Sequence, residues 1–168
     1  MLQIDVGYDL DGVLVPDLDA GKEVDLHTLL QARRRLRPLF QPQGNYAIVT
    51  GRPMSDSQDT RDWIHEYLHV PPAAIFIASK DTPLNDNESA AFKAHYVQAY
   101  GMCMFVESSP SIAMSILQRI GYIGYVAQVV TPQELIERGM YQAQTNPTEP
   151  RAISVLSSKG DLMPDRRF

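Results

Sequence analysis

Two aspartates, Asp9 and Asp11, stand two positions apart immediately after an apolar run. A carboxylate can attack phosphorus directly, splitting one hard displacement into two easier ones through an acyl-phosphate. A second carboxyl can protonate the departing oxygen and then help activate the water that resolves the intermediate. In a loop leaving a strand, this spacing can bring both carboxyls to one pocket while Leu10 packs elsewhere, and Gly12 permits the sharp turn that follows. The equatorial phosphoryl oxygens also need positive charge and hydrogen bonds as charge shifts. The Thr50 hydroxyl, the Gly51 amide and Lys93 are the groups that could supply them. Arg52 and Ser108 are candidate substrate-binding residues beside them. A magnesium ion would neutralise the carboxylates and polarise the phosphate, and it prefers a few oxygen ligands plus water.

These residues need a frame that gathers them. Leu2–Tyr8 reads as a first strand running into Asp9. Val24–Leu39 repeats leucine at helical spacing, at Leu26, Leu29, Leu30 and Leu36, with Pro38 near its end. Tyr46–Val49 is a short buried strand ahead of Thr50-Gly51-Arg52-Pro53, and Asp56–Leu68 a helix with Trp63, Ile64 and Leu68 on a buried side. Ala74–Ala78 is a third strand, Glu88–Tyr100 a helix carrying Lys93, and Met102–Val106 a fourth strand leading to Glu107, Ser108 and Ser109. Ser109–Ile120 is a helix with Pro110 in its first turn and Gly121 as its stop. Tyr122–Val126 makes a fifth strand, and Thr131–Arg138 a short last helix capped by Thr131. Five apolar strands interleaved with helices call for an α/β three-layer sandwich around a five-stranded parallel sheet. In such a sheet ligands bind beyond the carboxyl ends of the strands, where most of the polar residues above fall. Residues 1–141 are expected to form this domain and residues 142–168, without periodicity, a wrapped or loosely ordered extension.

A chain of 168 residues, 44% hydrophobic, is long enough to bury a core. The net charge of −5 argues against bulk attraction to nucleic acid or an anionic membrane, though not against a local basic groove. A single cysteine, Cys103, excludes an intrachain disulfide and a thiolate metal cluster. No apolar run approaches the roughly 20 residues needed to span a bilayer. Residues Met1 to Tyr8 lack the basic and apolar regions of a signal peptide, so a cytoplasmic protein is expected.

The motifs resemble a known superfamily. Tyr-Asp-Leu-Asp-Gly-Val-Leu at 8–14 resembles the first signature of the haloacid dehalogenase (HAD) superfamily, and Ile-Val-Thr-Gly-Arg-Pro at 48–53 its second. Phe92-Lys93-Ala94 sits where the third-motif lysine belongs, and Phe-Val-Glu-Ser-Ser-Pro at 105–110 is similar to the fourth. The resemblance covers roughly residues 2 to 130, with the motifs in order and each at its place in the strand–helix pattern. It implies a HAD-like Rossmannoid fold and a magnesium-dependent phosphatase. Asp9 is then the nucleophile, Asp11 the general acid/base, Thr50 a phosphate binder and Lys93 the orienting cation. Magnesium is implied on the Asp9 carboxylate, the Asp11 carbonyl and a motif-four acid, here Glu107. The sequence departs from the family at Glu107-Ser108, where an aspartate is usual. Only 35 residues separate Gly12 from Ile48, and one loop and one helix largely account for them, so no full cap domain fits. A looser resemblance, in Thr60-Arg61-Asp62-Trp63 and Gln118-Arg119-Ile120-Gly121-Tyr122, is to the phosphatase half of polynucleotide kinase–phosphatases. It adds nucleotides or nucleic-acid ends to phosphorylated small molecules as expected substrates.

Plainer readings stand beside these. Asp-x-Asp-Gly is often a turn, Arg52 could make only a structural salt bridge, and Lys80 competes with Lys93. Arg33, Arg34, Arg35 and Arg37 read more readily as a solvated face than as a substrate clamp. The histidines His27, His65, His69 and His95 show no metal-ligand spacing. Cys103 reads as an inert core thiol and Trp63 as packing. A HAD-fold binding protein with a degenerate metal site is the alternative that Ser108 raises. A phosphotransferase or a carbon–halogen hydrolase is the other, and the intact Asp11 argues against dehalogenation.

Overall fold

The computed structural model describes residues 3–16, 26–122 and 127–137. In chain order the elements are β1 (Val6–Tyr8), α1 (Leu26–Arg33), β2 (Tyr46–Thr50), a 3-10 turn (Met54–Asp56) running into α2 (Ser57–Tyr67), β3 (Ala74–Ile77), α3 (Asp86–Ala99), β4 (Met104–Val106), α4 (Pro110–Tyr122), β5 (Gln128–Val130) and α5 (Pro132–Glu137). The five strands form one parallel sheet in the order β3-β2-β1-β4-β5. The α/β class and the five-stranded parallel sheet are those the sequence predicts.

Alternation along the strands makes two cores. In β2, Tyr46 and Ile48 face one side, with Tyr8 and Val106, and meet Trp63 and Ile64 of α2 and Leu135 of α5. Ala47 and Val49 face the other side, with Phe105, and meet Ala90, Ala94 and Val97 of α3 and Ile116 and Ile120 of α4. A strand covered on both faces reads as a near-continuous apolar run, and all five residues of β2 are buried. The helices therefore lie in a layer on each face.

Local chemistry fixes the ends of several elements. Asn85 caps α3 through the Glu88 N–H while the Glu88 carboxylate accepts from the Asn85 N–H. Thr131 and Glu134 make the same reciprocal pair ahead of α5. After β1 the Leu10 carbonyl accepts the Leu14 and Val15 N–H groups, and Gly12, at φ 76°, closes this turn in the left-handed region.

Four details differ from the sequence expectation. The first helix ends at Arg33 rather than Leu39: Pro38 disfavours helix at the residue before it, and the Leu36 carbonyl instead accepts the Trp63 indole N–H at 2.9 Å. Gly121 does not stop α4, which runs to Tyr122. The fifth strand is Gln128–Val130, not Tyr122–Val126, because β4 pairs Met104, Phe105 and Val106 with Gln128, Val129 and Val130. Cys103 precedes β4 and is exposed, so it is not a core thiol. Residues 123–126 lie outside the described residues, as do Leu2, Val24, Arg138 and the whole of 142–168. Between Arg52 and Lys93 the chain holds only α2 with its leading turn, β3 and the first half of α3, which leaves no cap there. No helix among the described residues is long and apolar enough to cross a membrane.

Candidate active site

The strand order reverses direction around β1: the chain first builds outward through β2 to β3, then crosses back to add β4 and β5 on the other flank. The carboxyl ends of β1, β2 and β4 meet at that switch, where a crevice forms in open parallel sheets. Asp9, Thr50 and Glu107 are the residues at or next to those three ends. Backbone bonds tie the strand ends together, with the Asp9 N–H donating to the Val106 carbonyl and the Glu107 N–H to the Val130 carbonyl, each at 3.0 Å.

Lys93, 2% exposed on α3, reaches across the sheet to this point. Its ammonium donates to Asp9 Oδ2 at 2.8 Å and to Glu107 Oε2 at 2.5 Å. Asp9 Oδ1 accepts the Leu10 N–H at 2.8 Å, and Glu107 Oε1 accepts the Ser109 N–H at 3.0 Å. Two buried carboxylates thus share one ammonium and leave one negative charge over. Burial pushes the Asp9 carboxyl up, Lys93 opposes it and the Glu107 charge adds to it, so Asp9 rises to about 7. Burial alone would lower the Lys93 ammonium, but the two carboxylates outweigh it and hold Lys93 above its usual 10.5.

The second aspartate has the opposite company. Arg52 grips Asp11 with both arms, Nε to Oδ2 at 2.9 Å and Nη2 to Oδ1 at 2.7 Å, and its Nη1 donates to the Thr60 hydroxyl of α2 at 3.2 Å. Arg33, at the end of α1, places Nη1 3.1 Å from Asp11 Oδ1. Burial pushes Asp11 up, yet the Arg52 hydrogen bonds and charge, with the Arg33 charge, outweigh it and hold Asp11 below the ordinary 3.8. The Thr50 hydroxyl accepts the Arg52 N–H at 3.3 Å, and Gly51 lies between these two residues of the loop. The Ser108 hydroxyl donates to the Asp11 carbonyl at 3.3 Å.

Every sequence-predicted site residue, Asp9, Asp11, Thr50, Gly51, Arg52, Lys93, Glu107 and Ser108, therefore lies at one end of the sheet. Lys80 does not join them; it is exposed and pairs with Glu88. Arg52 makes the salt bridge its plainer reading expects, to a site residue. The arginines of 33–37 are not one solvated face. Arg34 pairs with Asp59, Arg37 lies over the Tyr67 ring at 5.3 Å, and Arg33 turns to the site. Thr60 and the Ser109 amide hold Arg52 and Glu107, roles the sequence does not assign to them; the packing of α2 and the turn after β4 reveals these.

Among the described residues three acids, Asp9, Asp11 and Glu107, face three cations, Lys93, Arg33 and Arg52. A magnesium ion and a phosphate dianion would enter as a neutral pair. No three His, Cys, Asp or Glu side chains among the described residues are grouped as a metal cage. The donors beside Lys93 are nevertheless all hard oxygens with a negative charge to spare. That suits an ion held by one or two carboxylates, water and substrate phosphate. The residues fit magnesium in that sparse manner.

A cavity of about 580 Å³, lined among others by Arg61, Leu68, His69 and Ile75, lies where α2 leads into β3, at the opposite end of the sheet from these groups. No family model and no curated protein matches the chain.

Proposed function

We propose that the chain is a magnesium-dependent phosphomonoesterase of the HAD type, working through an aspartyl-phosphate on Asp9. The observation that carries it is the Lys93 ammonium between Asp9 and Glu107, residues 84 and 14 positions away from it, at the switch point of a parallel sheet. A single structural salt bridge would need one carboxylate; two sharing a buried ammonium keep a cation beside a carboxylate that is still available to react.

In this proposal an Asp9 carboxylate oxygen attacks phosphorus, forming the aspartyl–phosphorus bond as the bond to the leaving oxygen breaks. Asp11, which the arginines hold ionised in the free chain, carries a proton in the substrate complex and gives it to that oxygen; it later takes one from the water that hydrolyses the aspartyl-phosphate, regenerating Asp9 and releasing phosphate. Thr50, the Gly51 amide and Lys93 supply hydrogen bonds and charge to the equatorial oxygens. Arg52 binds the Asp11 carboxyl in place and brings its own charge to the substrate side. Magnesium, held by the Asp9 carboxylate, the Asp11 carbonyl and Glu107, would supply further charge neutralisation. Nucleotides and nucleic-acid ends are the proposed substrates, in a cytoplasmic setting.

The test is hydrolysis of an aryl phosphate and a nucleotide panel with and without magnesium, beside Asp9→Asn. Magnesium-dependent turnover that Asp9→Asn abolishes is the expected result, and unchanged turnover in Asp9→Asn would sink the mechanism. A second reading has its own support. Both Glu107 oxygens already accept hydrogen bonds, and the Asp11 carbonyl accepts from the neutral Ser108 hydroxyl. A chain that binds phosphorylated ligands with little turnover would show ligand binding by calorimetry and no hydrolysis at any magnesium concentration.

A further inference from the structure

Eight polar side chains are buried among the described residues, and seven of them hold a side-chain hydrogen bond. The eighth is Ser89 on α3, 6% exposed. Its N–H donates to the Asn85 carbonyl at 2.8 Å, but its hydroxyl meets no donor or acceptor among the described residues. A buried hydroxyl is ordinarily paired, and a serine within a helix can turn back on the carbonyl four residues before it. Ser89 does not take that local route. Nor is its oxygen fully enclosed, so it borders open space where a partner from outside the chain can sit.

Position decides which partner. α3 starts beyond the carboxyl end of β3 and runs back until the Tyr100 carbonyl accepts the Ile4 N–H ahead of β1. Ser89 stands four residues before Lys93, so it shares that face of α3, one turn nearer the open end of the crevice. It also borders the loop after β2, where a Cβ on Gly51 would come 3.5 Å from Ser89 Oγ. The unpaired hydroxyl therefore opens beside the Gly51 backbone and above the Lys93 ammonium, two groups that offer hydrogens and lack a shared acceptor from outside. We propose that Ser89 is a phosphate-binding residue, its hydroxyl donating to an equatorial phosphoryl oxygen beside the Gly51 N–H. This rests on the phosphatase reading for the identity of the anion. An oxyanion is also the acceptor that gains most from such a donor, because a charge-assisted hydrogen bond is about twice as strong as a neutral one.

The test is Ser89→Ala, read by calorimetry with inorganic phosphate in magnesium, beside a separate titration with magnesium alone and the urea midpoint. Loss of one charge-assisted hydrogen bond should weaken phosphate binding about tenfold. Magnesium affinity should not change, since Ser89 is none of the proposed magnesium ligands. The midpoint should stay at or above that of the wild type, because the variant deletes an unpaired hydroxyl and alanine suits a helix interior better than serine. Ser111→Ala, on an exposed hydroxyl at the start of α4, should leave phosphate binding as it is. Phosphate affinity that Ser89→Ala leaves intact, or a wild type that takes up no phosphate, overturns the proposal. So does a loss accompanied by weaker magnesium binding or a lower midpoint, the mark of a hydroxyl that holds the structure and not the substrate. Hydrolysis of the aryl phosphate separates this result from the phosphatase reading. An active wild type whose phosphate site survives Ser89→Ala loses only the Ser89 assignment. A Ser89-dependent phosphate site in a chain that hydrolyses nothing fails the phosphatase reading and keeps Ser89 as an anion contact.

Discussion

At the scale of single residues, the site is a set of buried charges whose partners decide what each can do. Lys93 is the clearest case, because removing it leaves Asp9 and Glu107 facing each other with no cation between them. Lys93→Ala is expected to cost about 3–5 kcal/mol of folding stability, the range for breaking a buried ion pair from one side. Urea unfolding checks this, and a midpoint within error of the wild type would mean that the carboxylates are not both charged. Ser108 is the opposite case, a small neutral side chain where a fourth acid would face the Asp11 carbonyl. Ser108→Asp adds a hard anionic ligand there and should tighten the proposed magnesium binding by about an order of magnitude, since ligand charge count tunes such sites. Calorimetric titration with magnesium alone reads it, and an unchanged affinity would place the ion elsewhere.

At the scale of elements, the site depends on how closely β1 approaches its neighbour. Gly7 leaves room for the fully buried Phe105 and Met102; a Cβ on it would sit 2.5 Å from the Phe105 ring and 2.6 Å from the Met102 sulfur. Gly7→Ala must push β1 away from β4 or shift Phe105 and Met102, at a cost of about 1–3 kcal/mol. Asp9 stands two residues further on, so the proposed phosphatase activity should fall with the denaturation midpoint. An alanine variant as stable as the wild type would show that β1 has slack. The α1 segment shows how helix propensity yields to packing. Its leucine spacing continues past Arg33 to Leu36, but the carbonyl of Leu36 is committed to Trp63 and Leu39 donates to the Leu14 carbonyl. Those bonds turn the chain inward below the site and leave Arg33 at the helix end, where a cation is favoured by the helix dipole.

At the scale of the molecule, buried carboxylates make folding sensitive to pH. Asp9 is raised in the folded chain to about 7 from 3.8, so the folded state holds that proton more tightly than the unfolded state does. Its contribution is fully present below pH 3.8 and is lost as pH rises from there to about 7, by up to about 1.4 kcal/mol per pH unit. Asp11 is lowered, so its contribution is present above pH 3.8 and is lost only as pH falls below that. The two windows do not overlap, and the Asp9 decline runs from pH 3.8 to about 7. Thermal unfolding without magnesium should show stability declining across that range, and Asp9→Asn should flatten the decline. A slope that survives Asp9→Asn would assign it to another group.

Which polar residues gather at the carboxyl end of the sheet was legible in the chain itself, because each stood next to an apolar strand or on the helix before one. A parallel sheet of five strands followed from short apolar runs alternating with helices, since a sheet buried on both faces needs apolar residues along the whole of each strand; the order of the strands did not. Boundaries were less legible. Between Tyr122 and Val130 several short runs were equally apolar, and only the pairing of β4 with Gln128–Val130 chose among them. Arg33 and Arg34 are adjacent and chemically identical, yet one meets Asp11 and the other Asp59. Side-chain direction at the end of a helix is set by what the helix packs against, which no local pattern encodes. The same holds for Glu107, whose carboxylate the tertiary structure gives to Lys93 and the Ser109 amide, leaving Ser108 to face the Asp11 carbonyl. Sequence determined which charges gather at the carboxyl end of the sheet; long-range packing alone decided which of them meet.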